Sequence, residues 1–123
     1  MQPLVSIIIP TYNRAHLIGE TLDSVINQNY QNWECIAVDD GSIDHTDQLM
    51  GFYSCIDPRI KYYHRPPHLP KGANSCRNYG FTLSKGEYIN FFDSDDLMEP
   101  DKLVKQINAF AGDVEIDFSL CEY

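Results

Sequence analysis

Apolar residues fall along this chain in two alternating rhythms. Short β-branched and aromatic runs are each followed by a stretch in which apolar positions return every three or four residues, the signatures of strands and amphipathic helices. Residues 4–9 (LVSIII) form an almost continuous apolar run stopped at Pro10, as in a central parallel strand. Leu17, Ile18, Leu22, Val25 and Ile26 then recur at helical spacing, with Asn13 placed to cap the helix. Residues 33–38 predict a second strand. Thr46, Leu49, Met50 and Tyr53 mark a second helix, with Ser42 as its cap. Ile60–His64 alternates in polarity, as a strand toward the sheet edge does. Ala73, Cys76, Gly80 and Leu83 share one face of a third helix, where small residues permit close approach to a sheet. Residues 86–92 predict a fourth strand, buried inside the sheet. Glu99-Pro100-Asp101 opens a fourth helix with proline in its first turn, continued by Leu103, Val104, Ile107 and Phe110. Residues 114–120 alternate as a fifth strand with one wet face.

Strict β-α alternation implies right-handed crossovers and a mostly parallel sheet covered on both faces, an α/β protein with three α/β/α layers. At 123 residues and 43% hydrophobic content, one domain spanning 1–123 has material for a real core. The formal charge of -9, from 18 acids against 9 Lys and Arg, argues against nucleic acid or an anionic membrane surface as a partner. Cys35, Cys55, Cys76 and Cys121 lack metal-ligand spacing and lie in or beside apolar segments, the usage of reduced cytoplasmic cysteines, so no disulfide is expected. No signal-peptide pattern and no transmembrane-length apolar run occurs.

The acids carry the chemistry. Asp93, Asp95 and Asp96 fall within four residues at the end of the fourth strand, and buried strands do not carry acids, so they belong to a loop at the sheet edge, where open α/β sheets bind ligands. In an extended segment Asp93 and Asp95 leave the same face and reach one hard cation, Mg²⁺ or Mn²⁺. The competing reading is a solvated loop whose acids favour a helix start. The second strand also ends in acids, Asp39-Asp40, before Gly41-Ser42. Asp39 is the better candidate to bond a base or ribose, and Asp40 to hold an Asx turn. Tyr12 suits either a base-stacking role or a lid over the first helix. Arg77 fits either bracing of the acid cluster or phosphate contact. His16, His45, His64 and His68 are expected at the surface.

Four segments then occur in order: residues 5–14 (VSIIIPTYNR), residues 38–42 (VDDGS), Gly72 with residues 77–80 (RNYG), and residues 86–89 (GEYI) leading into Asp93-Ser94-Asp95-Asp96. Together they resemble the N-terminal half of a family 2 glycosyltransferase of the GT-A fold. The resemblance implies that Thr11, Tyr12 and Asp39 hold a nucleotide base, usually uracil, with Arg14 and Ser94 also on the nucleotide. Asp93 would contact the ribose, and Asp95, with Asp93 and Asp96 at hand, would ligate the Mn²⁺ or Mg²⁺ that bridges the two phosphates. Arg77 would lie beside the diphosphate or brace Asp93. The implied donor is a nucleotide-diphospho-sugar and the acceptor a saccharide or lipid-linked hydroxyl, used with inversion in the cytoplasm or at the inner membrane face. The catalytic base is expected beyond Tyr123, which makes this chain the truncated donor-binding portion of a longer enzyme. A non-catalytic nucleotide-sugar module remains the alternative. A phosphoacceptor receiver domain fits less well, because Pro10-Thr11-Tyr12 stands where its acid pair follows the first strand. A nucleotidyltransferase would need a glycine-rich loop where Thr11-Tyr12-Asn13-Arg14 stands.

Overall fold

The computed structural model describes residues 2–112. The expected fifth strand, over residues 114–120, lies outside them. Four strands, β1 (Val5–Thr11), β2 (Trp33–Asp39), β3 (Ile60–His64) and β4 (Tyr88–Phe91), alternate with four helices, α1 (Ala15–Ile26), α2 (Thr46–Ile56), α3 (Ala73–Leu83) and α4 (Lys102–Gly112). The strands run in the order β3-β2-β1-β4, and every pair is parallel. The chain works outward from β1 to β3 and then crosses back to β4, so a switch point falls between β1 and β4.

Alternation along the strands builds the layers. Val5, Ile7 and Ile9 of β1, with Trp33, Cys35 and Ala37 of β2, face one side. They bury Ile18, Leu22 and Val25 of α1, Met50 and Tyr53 of α2, and Leu103 of α4. Ile36 and Val38 face the other side and cover Cys76, flanked by the half-buried Tyr79 and Leu83 of α3. The small face of α3 does what its composition predicts. A Cβ on Gly80 would sit 2.7 Å from Cγ2 of Ile8 and 3.4 Å from Cγ2 of Val38. Gly80 therefore exists for helix-to-sheet contact.

A buried carboxylate ties the amino edge of the sheet together. Glu34, 4% exposed, accepts hydrogen bonds from the Ser6 hydroxyl (2.6 Å), the Lys85 N–H (2.7 Å) and the Lys61 ammonium (3.0 Å). Burial opposes ionisation here, but these three donors outweigh it and hold the Glu34 carboxyl below its ordinary range.

Several sequence expectations need correction. Strand β1 runs through Pro10 to Thr11 instead of stopping at Pro10. Ile8 presents its carbonyl to Phe92 beyond β4, whereas Thr11 presents its own toward β2. Pro10, two residues after Ile8, thus turns its missing N–H to the side where β4 has already ended, at no cost in ladder bonds. Strand β4, expected inside the sheet, pairs with β1 on one side and has Tyr88, Ile89 and Phe91 half-buried, and the further strand expected of the sheet lies outside the described residues. Helix α4 starts at Lys102, because Pro100 and Asp101 lie in the turn before it, closed by the Lys102 N–H on the Glu99 carbonyl at 3.1 Å. Neither expected cap is used: Asn13 and Ser42 bond across to each other's loops, and Asp44 serves both helices. Its carboxylate accepts the Ala15 N–H at the start of α1 (3.2 Å) and the Thr46 N–H at the start of α2 (3.0 Å).

Gly80 and Gly51 form an internal control. A Cβ at Gly51, exposed in α2, meets nothing within 4 Å. Gly51→Ala is expected to stabilise the protein by about 0.5–1 kcal/mol through helix propensity. Gly80→Ala gains the same propensity but overpacks against Ile8, for a net loss of about 1–2 kcal/mol. Urea unfolding of the two variants decides this, and equal shifts would refute the packing argument.

Candidate functional site

The carboxyl ends of β1 and β4 frame a cleft of about 480 Å³ lined by Pro10, Thr11, Tyr12, Asn13, Arg14, Asp40, Ala73, Arg77, Asp93, Ser94 and Asp95. It lies at the switch point, where strand order leaves the crossing loops apart. Thr11 ends β1, and its hydroxyl is buried with no hydrogen-bond partner among the described residues. A buried orphan hydroxyl costs free energy unless a ligand satisfies it. Tyr12 is 42% exposed, and the Lys71 ammonium rests 3.8 Å from its ring centroid.

The loop after β1 and the loop after β2 are knitted together. Asn13 adopts φ 51°, and its side-chain oxygen accepts the Ile43 N–H at 2.9 Å while its own N–H donates to the Ser42 hydroxyl at 2.8 Å. Asp39 and Asp40 both shape the loop after β2, each through its own set of donors. Asp39, 1% exposed and not a lining residue, holds the turn: its Oδ2 accepts the Gly41 and Ser42 N–H groups at 2.9 and 2.8 Å, and the Ser42 hydroxyl donates to Oδ1. Gly41 at φ 100° makes that turn possible. Asp40 reaches the cleft wall and anchors the proline-rich loop, accepting from the Arg65 guanidinium at 2.5 Å and the Gly72 N–H at 3.2 Å, while its carbonyl accepts from Lys71 at 3.0 Å. Sequence reasoning missed Arg65 and Lys71, since 25 or more residues separate them from Asp40 and no local spacing marks the pairing. His64, expected at the surface, is exposed but sits 3.6 Å from Asp39 and 3.3 Å from Asp47.

The acid loop differs from the extended geometry expected of it. Ser94 and Asp95 form a turn, with the Asp96 N–H 3.3 Å from the Asp93 carbonyl. The turn gathers all three acids: one carboxylate oxygen each from Asp93, Asp95 and Asp96 lies within 4.8 Å of the others, and all three residues are exposed. Such an all-oxygen donor set fits a hard divalent cation that keeps open positions for other oxygen ligands. Arg77 donates to Asn74 at 2.9 Å and stands 3.8 Å from Asp93, in keeping with the bracing role, while its side chain also lines the cleft.

Residues 6–118 match the family described as glycosyl transferase family 2. The chain belongs to this family. Among family members it is 41% identical over 106 residues to an uncharacterized glycosyltransferase of Haemophilus influenzae (strain ATCC 51907 / DSM 11121 / KW20 / Rd), covering 86% of this chain and 42% of that protein. It is equally 41% identical over 106 residues to TuaG of Bacillus subtilis (strain 168), provisionally named a teichuronic acid biosynthesis glycosyltransferase, covering 86% of this chain and 41% of TuaG. The chain thus spans less than half the length of these relatives. Among solved structures it superposes on S. aureus TarS 1-349 in complex with UDP at a TM-score of 0.77, with 28% identity over 91% of this chain and 32% of that one. The mannosyltransferase PcManGT from Pyrobaculum calidifontis, in complex with GDP-Man and Mn²⁺, superposes at 0.79, with 28% identity over 90% of this chain and 33% of that one. The family 2 chain therefore has the GT-A fold, with the parallel sheet and covering helices expected of it. Among its described residues no helix is long and apolar enough to cross a membrane.

The Asp40 hub makes the cleft wall sensitive to acid. Burial alone would raise the Asp40 carboxyl, but the Arg65 hydrogen bond, the Gly72 N–H and the charges of Lys71 and Arg65 outweigh it and hold the group below its ordinary 3.8. A carboxyl depressed in the folded state contributes stability that is complete above its unfolded value and is lost as pH falls through the folded one. Asp40→Asn is accordingly expected to cost about 2 kcal/mol at pH 7. The gap to the parent should close as pH drops below 3.8. Urea midpoints across pH 2.5–7 measure this, and a gap independent of pH would contradict it.

Proposed function

We propose that this chain is the donor-binding domain of an inverting glycosyltransferase that moves a sugar from a nucleotide-diphospho-sugar, with UDP as the favoured nucleotide, to an acceptor hydroxyl. The observation that carries the reading is the cleft itself, lined by Tyr12 and the orphan Thr11 hydroxyl together with Asp93 and Asp95, two of the three clustered carboxylates. Tyr12 offers a face to a base, and the Thr11 hydroxyl can both donate to and accept from its edge. Asp39, beside Thr11 in the strand register, accepts the Ser42 hydroxyl at Oδ1, whose remaining lone pair would take a base N–H. Arg14 and Ser94 complete the nucleotide contacts, and Asp93 takes the ribose. Arg77 is placed to approach the diphosphate as well as to brace Asp93.

Asp95, with Asp93 and Asp96, would hold Mn²⁺ or Mg²⁺. When bound, such a cation neutralises charge that develops on the departing diphosphate. The protein's own share is to bind and orient the donor at the sheet edge so that an acceptor hydroxyl meets the anomeric carbon on the face away from the leaving group. The base that takes the hydroxyl proton is assigned to the acceptor-binding portion of the longer relatives, of which this chain spans less than half. TuaG's provisional name, in teichuronic acid biosynthesis, supports a role in cell-surface polysaccharide assembly with a saccharide or lipid-linked acceptor. We place that reaction in the cytoplasm, at the inner membrane face when the acceptor is lipid-linked.

Calorimetric titration of UDP tests the donor site directly. The chain is expected to bind UDP more tightly with Mn²⁺ than without it, and Asp95→Ala is expected to remove most of that gain while leaving the fold intact by circular dichroism. Binding that ignores both the metal and the substitution would overturn the assignment.

A further inference from the structure

Helix α1 carries a polar ladder on the side that meets the acid loop. Thr21, fully buried, directs its hydroxyl to the main-chain carbonyls of Asp96 (2.6 Å) and Ser94 (3.1 Å), the two residues flanking Asp95. One turn on, Ser24 donates to the Thr21 carbonyl (2.6 Å) and accepts the Met98 N–H (2.9 Å). Just beyond the end of α1, Gln28, 1% exposed, donates to the Glu99 carbonyl (2.5 Å) and accepts the Leu103 N–H (3.1 Å). The Asn29 N–H adds a bond to the Pro100 carbonyl at 2.8 Å. The stretch from Ser94 to Leu103 is thus fastened by Thr21 and Ser24 on one face of α1 and by Gln28 and Asn29 just past its end.

The ladder solves an electrostatic problem. Three exposed carboxylates repel one another and gain by spreading apart when no cation lies between them. Two carbonyls held inward by a single hydroxyl leave the intervening residue to project from the other side of the turn. Asp95 is exposed, whereas Ser94 is buried. A serine or threonine side chain within a helix ordinarily bonds its own preceding turn. Thr21 instead spends its one donor on the acid loop.

We infer that Thr21 is a positioning residue for the carboxylate cluster: by pinning the carbonyls on either side of Asp95 it presets the geometry in which Asp93, Asp95 and Asp96 take a divalent cation. Ser24 and Gln28 fix the remainder of the loop. This rests on the donor-site reading above for its ligand, but the fastening of the loop can be measured without any ligand.

The test uses Thr21→Val, which keeps shape and removes the hydroxyl, and Thr21→Ser, which restores it. In the metal-free chain, amide hydrogen exchange at Asp95 and Asp96 is expected to speed up at least tenfold in Thr21→Val and to return close to parental rates in Thr21→Ser, with β1 and β2 amides unchanged. Manganese-dependent UDP affinity is expected to fall about tenfold in Thr21→Val and to recover in Thr21→Ser. Ser24→Ala, which frees the Met98 N–H at the far end of the same loop, gives a smaller loss in the same direction and serves if Thr21→Val does not fold. Loop exchange and affinity that both match the parent in Thr21→Val would overturn the inference, as would failure of serine to rescue. A parent chain that binds no UDP with Mn²⁺ sinks the donor-site reading and with it Thr21's role toward a cation, while the exchange rates still report separately whether Thr21 holds the loop.

Discussion

Parallel pairing of β1 with both β2 and β4 brings the carboxyl ends of three strands to one edge of the sheet, and everything that could bind a ligand follows from that. Thr11, Asp39 and the start of the acid loop are the residues at which those strands stop. Because strand order reverses between β1 and β4, the loops beyond them diverge and leave a cleft. The close fit of Gly80 against Ile8 and Val38 keeps α3 low on one face of the sheet, which places Ala73 and Arg77 of its first turns on the cleft wall. On the other face α1 runs from the tyrosine loop at its start to the acid loop along its length, so one rigid rod touches both ends of the site.

Negative charge at this edge has two distinct uses. Asp39, Asp40 and Asp44 spend their oxygens on backbone N–H groups and on the Ser42, Thr46 and Arg65 side chains, and so set the shape of the loops. Asp93, Asp95 and Asp96 are exposed, and among the described residues Arg77 stands 3.8 Å from Asp93. A protein with an excess of nine negative charges gathers three carboxylates in a tight group only at a cost in mutual repulsion. A divalent cation among these carboxylates would relieve that repulsion, which is why the proposed donor site is placed at this edge.

Much of this was legible in the residue pattern. Strong periodicity places β1, β2, α1 and α2 because their apolar positions serve one buried face, and strand ends rich in acids mark the functional edge. Local rules failed where partners are distant in sequence. Asn13 and Ser42 read as caps for their own helices, but each bonds the other's loop, and Asp44 caps both helices from one position. Asp40 gains Arg65 and Gly72 only after β3 is in place, so nothing beside it in the chain distinguishes it from Asp39. Thr21 and Ser24 in the helix and Gln28 just after it carry no sequence signal of their roles, because hydrogen bonds to main-chain atoms leave no complementary side chain in the sequence.

The central claim is spatial: the cation and the nucleotide share the carboxyl edge of the sheet. Paramagnetic broadening of backbone amide signals by substoichiometric Mn²⁺ with UDP tests it most directly. Signals from residues 11–14, 72–77 and 93–96 should broaden first, while those around Glu34, Lys61 and Lys85 at the opposite edge stay sharp. Broadening centred on that opposite edge, or spread evenly over the surface acids, would contradict it.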